Sequence, residues 1–126
     1  MSERLAHGQT FPELRDAIKP HLRTFRKRRP EVMKAYAELH AAAGETGALD
    51  KKIKELIALT TSVALHCDDC IAFHTHDALR AGATEDEILD AMSVSVLMGG
   101  GPALMYVAHV IEAMEEFEQK LGLAGG

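Results

Sequence analysis

The 126-residue sequence predicts a single all-α domain, a bundle of about five to seven helices. Three observations carry that expectation. Apolar residues recur at three- and four-residue spacing through most of the chain. Residues that start and stop helices fall at the ends of those runs. No stretch alternates β-branched and polar residues as a half-buried strand does, and only residues 94–97 are ambiguous when read alone. With no internal repeat and no low-complexity linker, the expected domain spans residues 1–126.

The elements follow in order. Phe11, Leu14, Ile18, Leu22 and Phe25 fit one kinked helix or two short ones, punctuated by Pro12 and Pro20. Pro30 suits the first turn of the next helix, which carries Val32, Ala35, Tyr36 and Leu39 and ends at Gly44. Asp50 is the expected N-cap of a helix whose buried stripe is Ile53, Leu56, Ile57, Thr60, Val63 and Ala64. Another helix is expected from near Cys67 to Gly82. Thr84 with Glu87 has the spacing of a capping box, and Ile88, Ala91, Met92 and Ser95 share one face behind it. Gly99, Gly100, Gly101 and Pro102 should break the chain before a last helix through Leu104, Val107, Ala108, Ile111 and Met114. That helix fades at Gly122, and residues 122–126 are expected to fray.

Composition narrows the function. At 13.7 kDa, with 47% hydrophobic and 26% charged residues, the chain is an ordinary globular sequence, neither disordered nor collagenous. A chain of this size needs no disulfide or metal simply to stay folded. A net charge of −5 and a pI near 5.8 argue against general nucleic-acid binding. Lys19, Arg23, Arg26, Lys27, Arg28 and Arg29 hold six of the fourteen basic residues, and they read as a solvated helix end before Pro30. Glu112, Glu115, Glu116 and Glu118 read as an exposed face. No apolar run approaches the roughly 18–20 residues of a membrane span. Met1, Ser2, Glu3 and Arg4 do not begin a secretory signal. The expected compartment is the cytoplasm, where a cysteine pair points to catalysis or metal binding.

The chemistry concentrates between Glu55 and Gly82. Cys67 and Cys70 form a C-x-x-C unit, and His74 follows one turn later, so all three fall on one helical face. His76 lies about 200° round from His74 and off that face. Two thiols at a helix start can close a disulfide, and the free N–H groups there favour a thiolate. Asp68 and Asp69 oppose it. A histidine one turn from Cys70 can take its proton, and does so better when a carboxylate orients the ring. Glu55 stands in an apolar helical stretch, but twelve residues before Cys67 is about 18 Å along an unbroken helix. Only a turn near Leu65 and His66 would return it to the cysteines. Two other readings stay open: a pair of buried reduced cysteines, or a zinc site of Cys67, Cys70 and His74 with His66 or His76. His7, His21, His40 and His109 are expected to carry no chemistry.

Glu55, the Cys67-x-x-Cys70-x-x-x-His74 run, Ala78 and Gly82 together resemble the alkylhydroperoxidase D-like branch of the carboxymuconolactone decarboxylase family. The resemblance covers about residues 53–117, and no signature precedes Leu22. It implies an all-α protomer that associates as a trimer or hexamer. It also implies reduction of a hydroperoxide without metal, flavin or haem. Cys70 maps to the peroxide-attacking thiol, Cys67 to the resolving thiol, and His74 with Glu55 to a proton relay. The implied electron donor is a dithiol, such as a dihydrolipoyl or thioredoxin-like protein, and a peroxiredoxin is an implied partner. No membrane or nucleic acid is implied. One departure is that Asp69 stands where well-studied members carry a histidine. Alternatives are a lactone decarboxylase using His74 and Glu55 as acid and base, or a non-enzymatic oligomeric or zinc-binding module.

Overall fold

Helix α1 (Phe11–Arg28) begins at a closed capping box, in which Thr10 accepts the Glu13 N–H at 3.1 Å while Glu13 accepts the Thr10 N–H at 2.8 Å. Pro12 sits in the first turn, and Pro20 is accommodated inside one 18-residue helix, so the choice between one helix and two resolves to one. Helix α2 (Pro30–Gly44) starts on Pro30 and ends where expected. Helix α3 (Lys51–Ala64) is capped by Asp50, whose carboxylate accepts the Ile53 N–H at 2.9 Å. Helix α4 (Asp68–Arg80) takes Cys67 as its N-cap residue, and α5 (Glu85–Leu121) starts on the Thr84–Glu87 capping box. This computed structural model describes residues 8–122, which hold five helices and no strand. Met1 to Arg4, His7 and residues 123–126 lie outside the described residues, so the expected fraying there is not part of the description.

The expected break at the glycines is a bend rather than a loop. Gly100 has φ 66° and ψ −147°, a conformation that side chains with a Cβ rarely adopt. At Gly99 a Cβ would meet the Ala103 Cβ at 2.8 Å, so the bend needs glycine for space as well as for torsion. The two arms of α5 pack with α3 and α4 around Leu59, Val63, Ile71, Ile88, Met92, Val110 and Phe117. Helix α1 lies against α4 and α5, and α2 against α1 and α3.

Three expectations need correction. The inner stripe of α3 is Glu55, Leu56, Leu59, Ser62 and Val63, whereas Ile53 and Ile57 are exposed. Rotating the stripe by one position takes Glu55 inward, which hydropathy alone opposes. The acidic run is not wholly exposed either: Glu118 is buried, and Glu116 accepts the Phe11 N–H at 2.7 Å. Finally, α5 is long and apolar enough by composition to cross a membrane, with an 18-residue window of mean hydropathy 1.6. Its glycines and serines are too weakly polar to lower that mean. The same helix is bent at Gly100 and supplies Ile88, Met92 and Val110 to the core.

Candidate active site

The site depends on how the chain reverses between α3 and α4. Leu65 closes α3, and His66 adopts a left-handed φ of 55°, rare outside glycine. The His66 N–H donates to Val63 O and the Cys67 N–H to Ser62 O, each at 3.1 Å, which pins the reversal to the last turn of α3. Cys67 is extended and opens α4. This is the turn near Leu65 and His66 on which the sequence argument depended. It lays α4 back along α3 and brings Glu55 beside His74, with Oε2 and Nδ1 3.0 Å apart.

Cys67 and Cys70 are joined as a disulfide, with their Cα atoms 5.2 Å apart. The Cys67 sulfur accepts the Cys70 N–H at 3.2 Å, so it sits at the positive end of α4. Such a position stabilises a thiolate once the bond is reduced. His74 is one turn further along the helix. Its side chain is 25% exposed, against 11% for Glu55, so the pair is sheltered yet reachable. The carboxylate holds the imidazole through Nδ1, which fixes the orientation of the ring.

Between α2, α3 and α4 lies a cavity of about 410 Å³ walled by Tyr36, Leu39, Leu49, Ile57 and Ala58, with His40 at its edge. Glu55 and His74 reach its lining; neither cysteine does. Donor atoms of Glu55, His74 and Asp77 also lie within 4.8 Å of one another, so these three could hold a metal ion. The cysteine-based zinc set does not come together in this disulfide form. His66 stacks on Tyr106 with ring centroids 4.7 Å apart, and His76 turns to Asp77 at 2.8 Å and to the Phe117 ring.

The sequence reading missed a second imidazole–carboxylate pair. His109 Nδ1 lies 2.7 Å from Asp68 Oδ1, with the two side chains 19% and 15% exposed. Tyr106 packs against His109 at 4.6 Å and against His66 on its other flank, linking α5 to the reversing turn. His109 therefore belongs to the surroundings of the cysteine pair, and His40 to the cavity. The signal available in sequence was the spacing of Tyr106 and His109, which places both on one face of a helix.

Comparison with known proteins gives the family and the fold. The carboxymuconolactone decarboxylase family model matches residues 30–113, from α2 through the second arm of α5. A protein of that family from Legionella pneumophila has a solved structure that superposes with a TM-score of 0.83, at 46% identity over 85% of this chain and 96% of its own. A Thermotoga maritima family member, described as possibly involved in an antioxidative response, superposes with a TM-score of 0.67. It is 31% identical over 71% of this chain and 93% of its own. An uncharacterized protein of Cupriavidus necator is 39% identical over 82 residues, 65% of this chain and 73% of its length. Fold and motif are consistent with the alkylhydroperoxidase D-like branch, and the chain belongs to the carboxymuconolactone decarboxylase family.

Proposed function

We propose that the protein is a thiol–disulfide oxidoreductase that reduces hydroperoxides, with a dithiol protein as electron donor. The observation that carries this reading is the Cys67–Cys70 disulfide on the N-terminus of α4, one turn from the Glu55–His74 pair. In the reaction, the Cys70 thiolate attacks the peroxide O–O bond, forming a sulfenic acid and releasing an alkoxide that takes a proton from His74. The Cys67 thiol then displaces hydroxide from the Cys70 sulfur, which leaves as water and closes the disulfide. Two thiols of the donor restore Cys67 and Cys70 and become a disulfide themselves. A dihydrolipoyl or thioredoxin-like protein in the cytoplasm fits that role, and a peroxiredoxin fits as the downstream acceptor.

The assignment of the two thiols is tested by exposing reduced Cys67→Ser and Cys70→Ser variants to a hydroperoxide with a sulfenic-acid trap. Trapping is expected in Cys67→Ser and not in Cys70→Ser; the reverse makes Cys67 the attacking thiol. If the reduced wild-type protein keeps two free thiols after peroxide treatment, the reading fails. One observation favours a second reading, lactone decarboxylation: the cavity reaches Glu55 and His74 but neither cysteine. Decarboxylation of a carboxylated lactone that survives in both serine variants would establish it.

The same reading includes self-association as a trimer or hexamer. Val94, Leu97, Met98, Leu104 and Met105 on α5 are exposed around the bend, as are Val32, Tyr36 and Leu39 on α2. Apolar area of this extent on one protomer favours contact with further copies. Light scattering at micromolar concentration should give a multiple of 13.7 kDa, and a monomer mass would reject association.

A further inference from the structure

We propose that His109 and Asp68 act as a charge-setting pair for Cys67, distinct from the Glu55–His74 pair that serves Cys70. His109 is a positioning residue here: it offsets the Asp68 carboxylate and thereby keeps the Cys67 thiol acidic. The argument begins with opposing influences on one sulfur. Cys67 takes the N-cap position of α4 with the Cys70 N–H aimed at its sulfur, which favours the thiolate. Asp68 and Asp69 follow in the first turn, and a carboxylate on the next residue opposes that thiolate.

His109 removes much of this opposition. Its Nδ1 is 2.7 Å from Asp68 Oδ1, so the ring N–H donates to the carboxylate and draws its negative charge away from the Cys67 sulfur. Both side chains are mostly sheltered, so water and salt screen the pair less than they would on an open surface. The ring is held from three directions: by Asp68, by Tyr106, and by Phe11 at a centroid distance of 6.4 Å. Tyr106 also stacks on His66, the residue before Cys67, so the reversing turn and the imidazole share one support. Of the titratable groups, Asp68 from α4 and Tyr106 from its own helix contact His109, His66 lies across Tyr106, Asp69 follows Asp68 in sequence, and Glu112 and Glu116 stand one and two turns further along α5. From α1, the Arg15 guanidinium lies over the Phe73 ring.

This inference rests on the redox reading only in that Cys67 must react as a thiol. It is measured without peroxide or donor, so its failure and the failure of that reading are distinguishable. The experiment uses the full chain carrying Cys70→Ser, reduced, and follows iodoacetamide alkylation of Cys67 against pH. Adding His109→Gln should move the alkylation midpoint upward by about half to one pH unit, a loss of about three- to tenfold in rate near pH 7. Adding Asp68→Asn should move it downward. The double substitution should return it close to the starting midpoint. In the Cys67→Ser chain, the midpoint of Cys70 should respond to Glu55→Gln and not to His109→Gln. A purely packing role would displace the midpoint in the same direction for His109→Gln and Asp68→Asn. That result, an unmoved midpoint, or an equal response of Cys70 to His109→Gln would each overturn the proposal.

Discussion

Helices α2 and α4 are of similar length, 15 and 13 residues, and they fare in opposite ways. Helix α4 buries Ile71, Ala72, Thr75, Ala78 and Leu79, while α2 buries nothing. Both are amphipathic in sequence. The difference lies in what each one meets: α4 is enclosed by α3, α5 and α1, whereas the apolar residues Val32, Tyr36 and Leu39 of α2 look outward. The chain thus forms an inner layer that holds Glu55, Cys67, Cys70 and His74 and an outer layer that walls the cavity and leaves apolar surface exposed. Helix α2 has Pro30 in its first turn but no side-chain cap, and its contacts with α1 and α3 leave most of its apolar face uncovered.

The sharpest way to separate the two layers is through turnover. Glu55 belongs to the inner layer and lies 3.0 Å from His74; under the proposed relay, Glu55→Gln should keep the fold and lower the rate of the proposed thiol-dependent reaction about 100- to 10,000-fold. Leu39 walls the same cavity from the outer layer, and Leu39→Ala should raise KM with little change in kcat. Steady-state kinetics of both variants checks the contrast. Equal losses of kcat would mean that α2 helps to align the reacting groups. Unchanged turnover in Glu55→Gln would make Glu55 a structural carboxylate.

Stability gives a second contrast of the same kind. Leu59 is fully buried between α3, α4 and α5, so Leu59→Ala leaves a cavity and should cost about 2–5 kcal/mol in chemical denaturation. Leu39 is 65% exposed, and Leu39→Ala should change the stability of a dilute protomer by no more than about 0.5 kcal/mol. A loss for Leu39→Ala approaching that for Leu59→Ala would show that the outer face is covered in solution, as association requires.

The same division explains what could be read in advance. Helix ends were legible because caps are local: Asp50, Thr84 with Glu87, and Pro30 each act within four residues. The turn at Leu65 and His66 was legible as a need, since Glu55 could reach His74 in no other way. The inward face of α3 was not, because Ile53 and Ile57 are as apolar as Leu56 and Leu59, and tertiary contact alone decides which pair is covered. His109 was missed for a different reason. It pairs with Asp68 across 41 positions, and its spacing from Tyr106 marks a shared helical face without naming the carboxylate that this face meets. Chemistry carried by a compact motif survives in the sequence, whereas chemistry assembled between distant helices does not.

A last and smaller effect tests whether burial gives the inner layer electrostatics that the outer layer lacks. Charges on the outer face, such as the Asp16–Lys19 pair, are exposed and contribute little. Glu118 is buried near the end of α5, and its carboxyl is pushed up to about 7 by burial, by a hydrogen bond with Glu85, and by the negative charges of Glu85 and Glu115. In the unfolded chain the same group ionises near the ordinary glutamate value of about 4.3. Below that value it is protonated in both states, and its contribution to stability is present in full. As pH rises towards 7 the unfolded chain releases the proton while the folded one retains it, so stability falls across this window. The proton belongs to the Glu85–Glu118 pair as a unit, and the loss amounts to at most about 4 kcal/mol. Glu118→Gln keeps a group able to hydrogen-bond Glu85 and removes the titration. Urea denaturation at pH 4.5, 6 and 7.5 should show the variant gaining on the wild type as pH rises. A constant difference between the two across that range would mean that Glu118 is ionised in the folded protein throughout, and that burial at this end of α5 does not govern its charge.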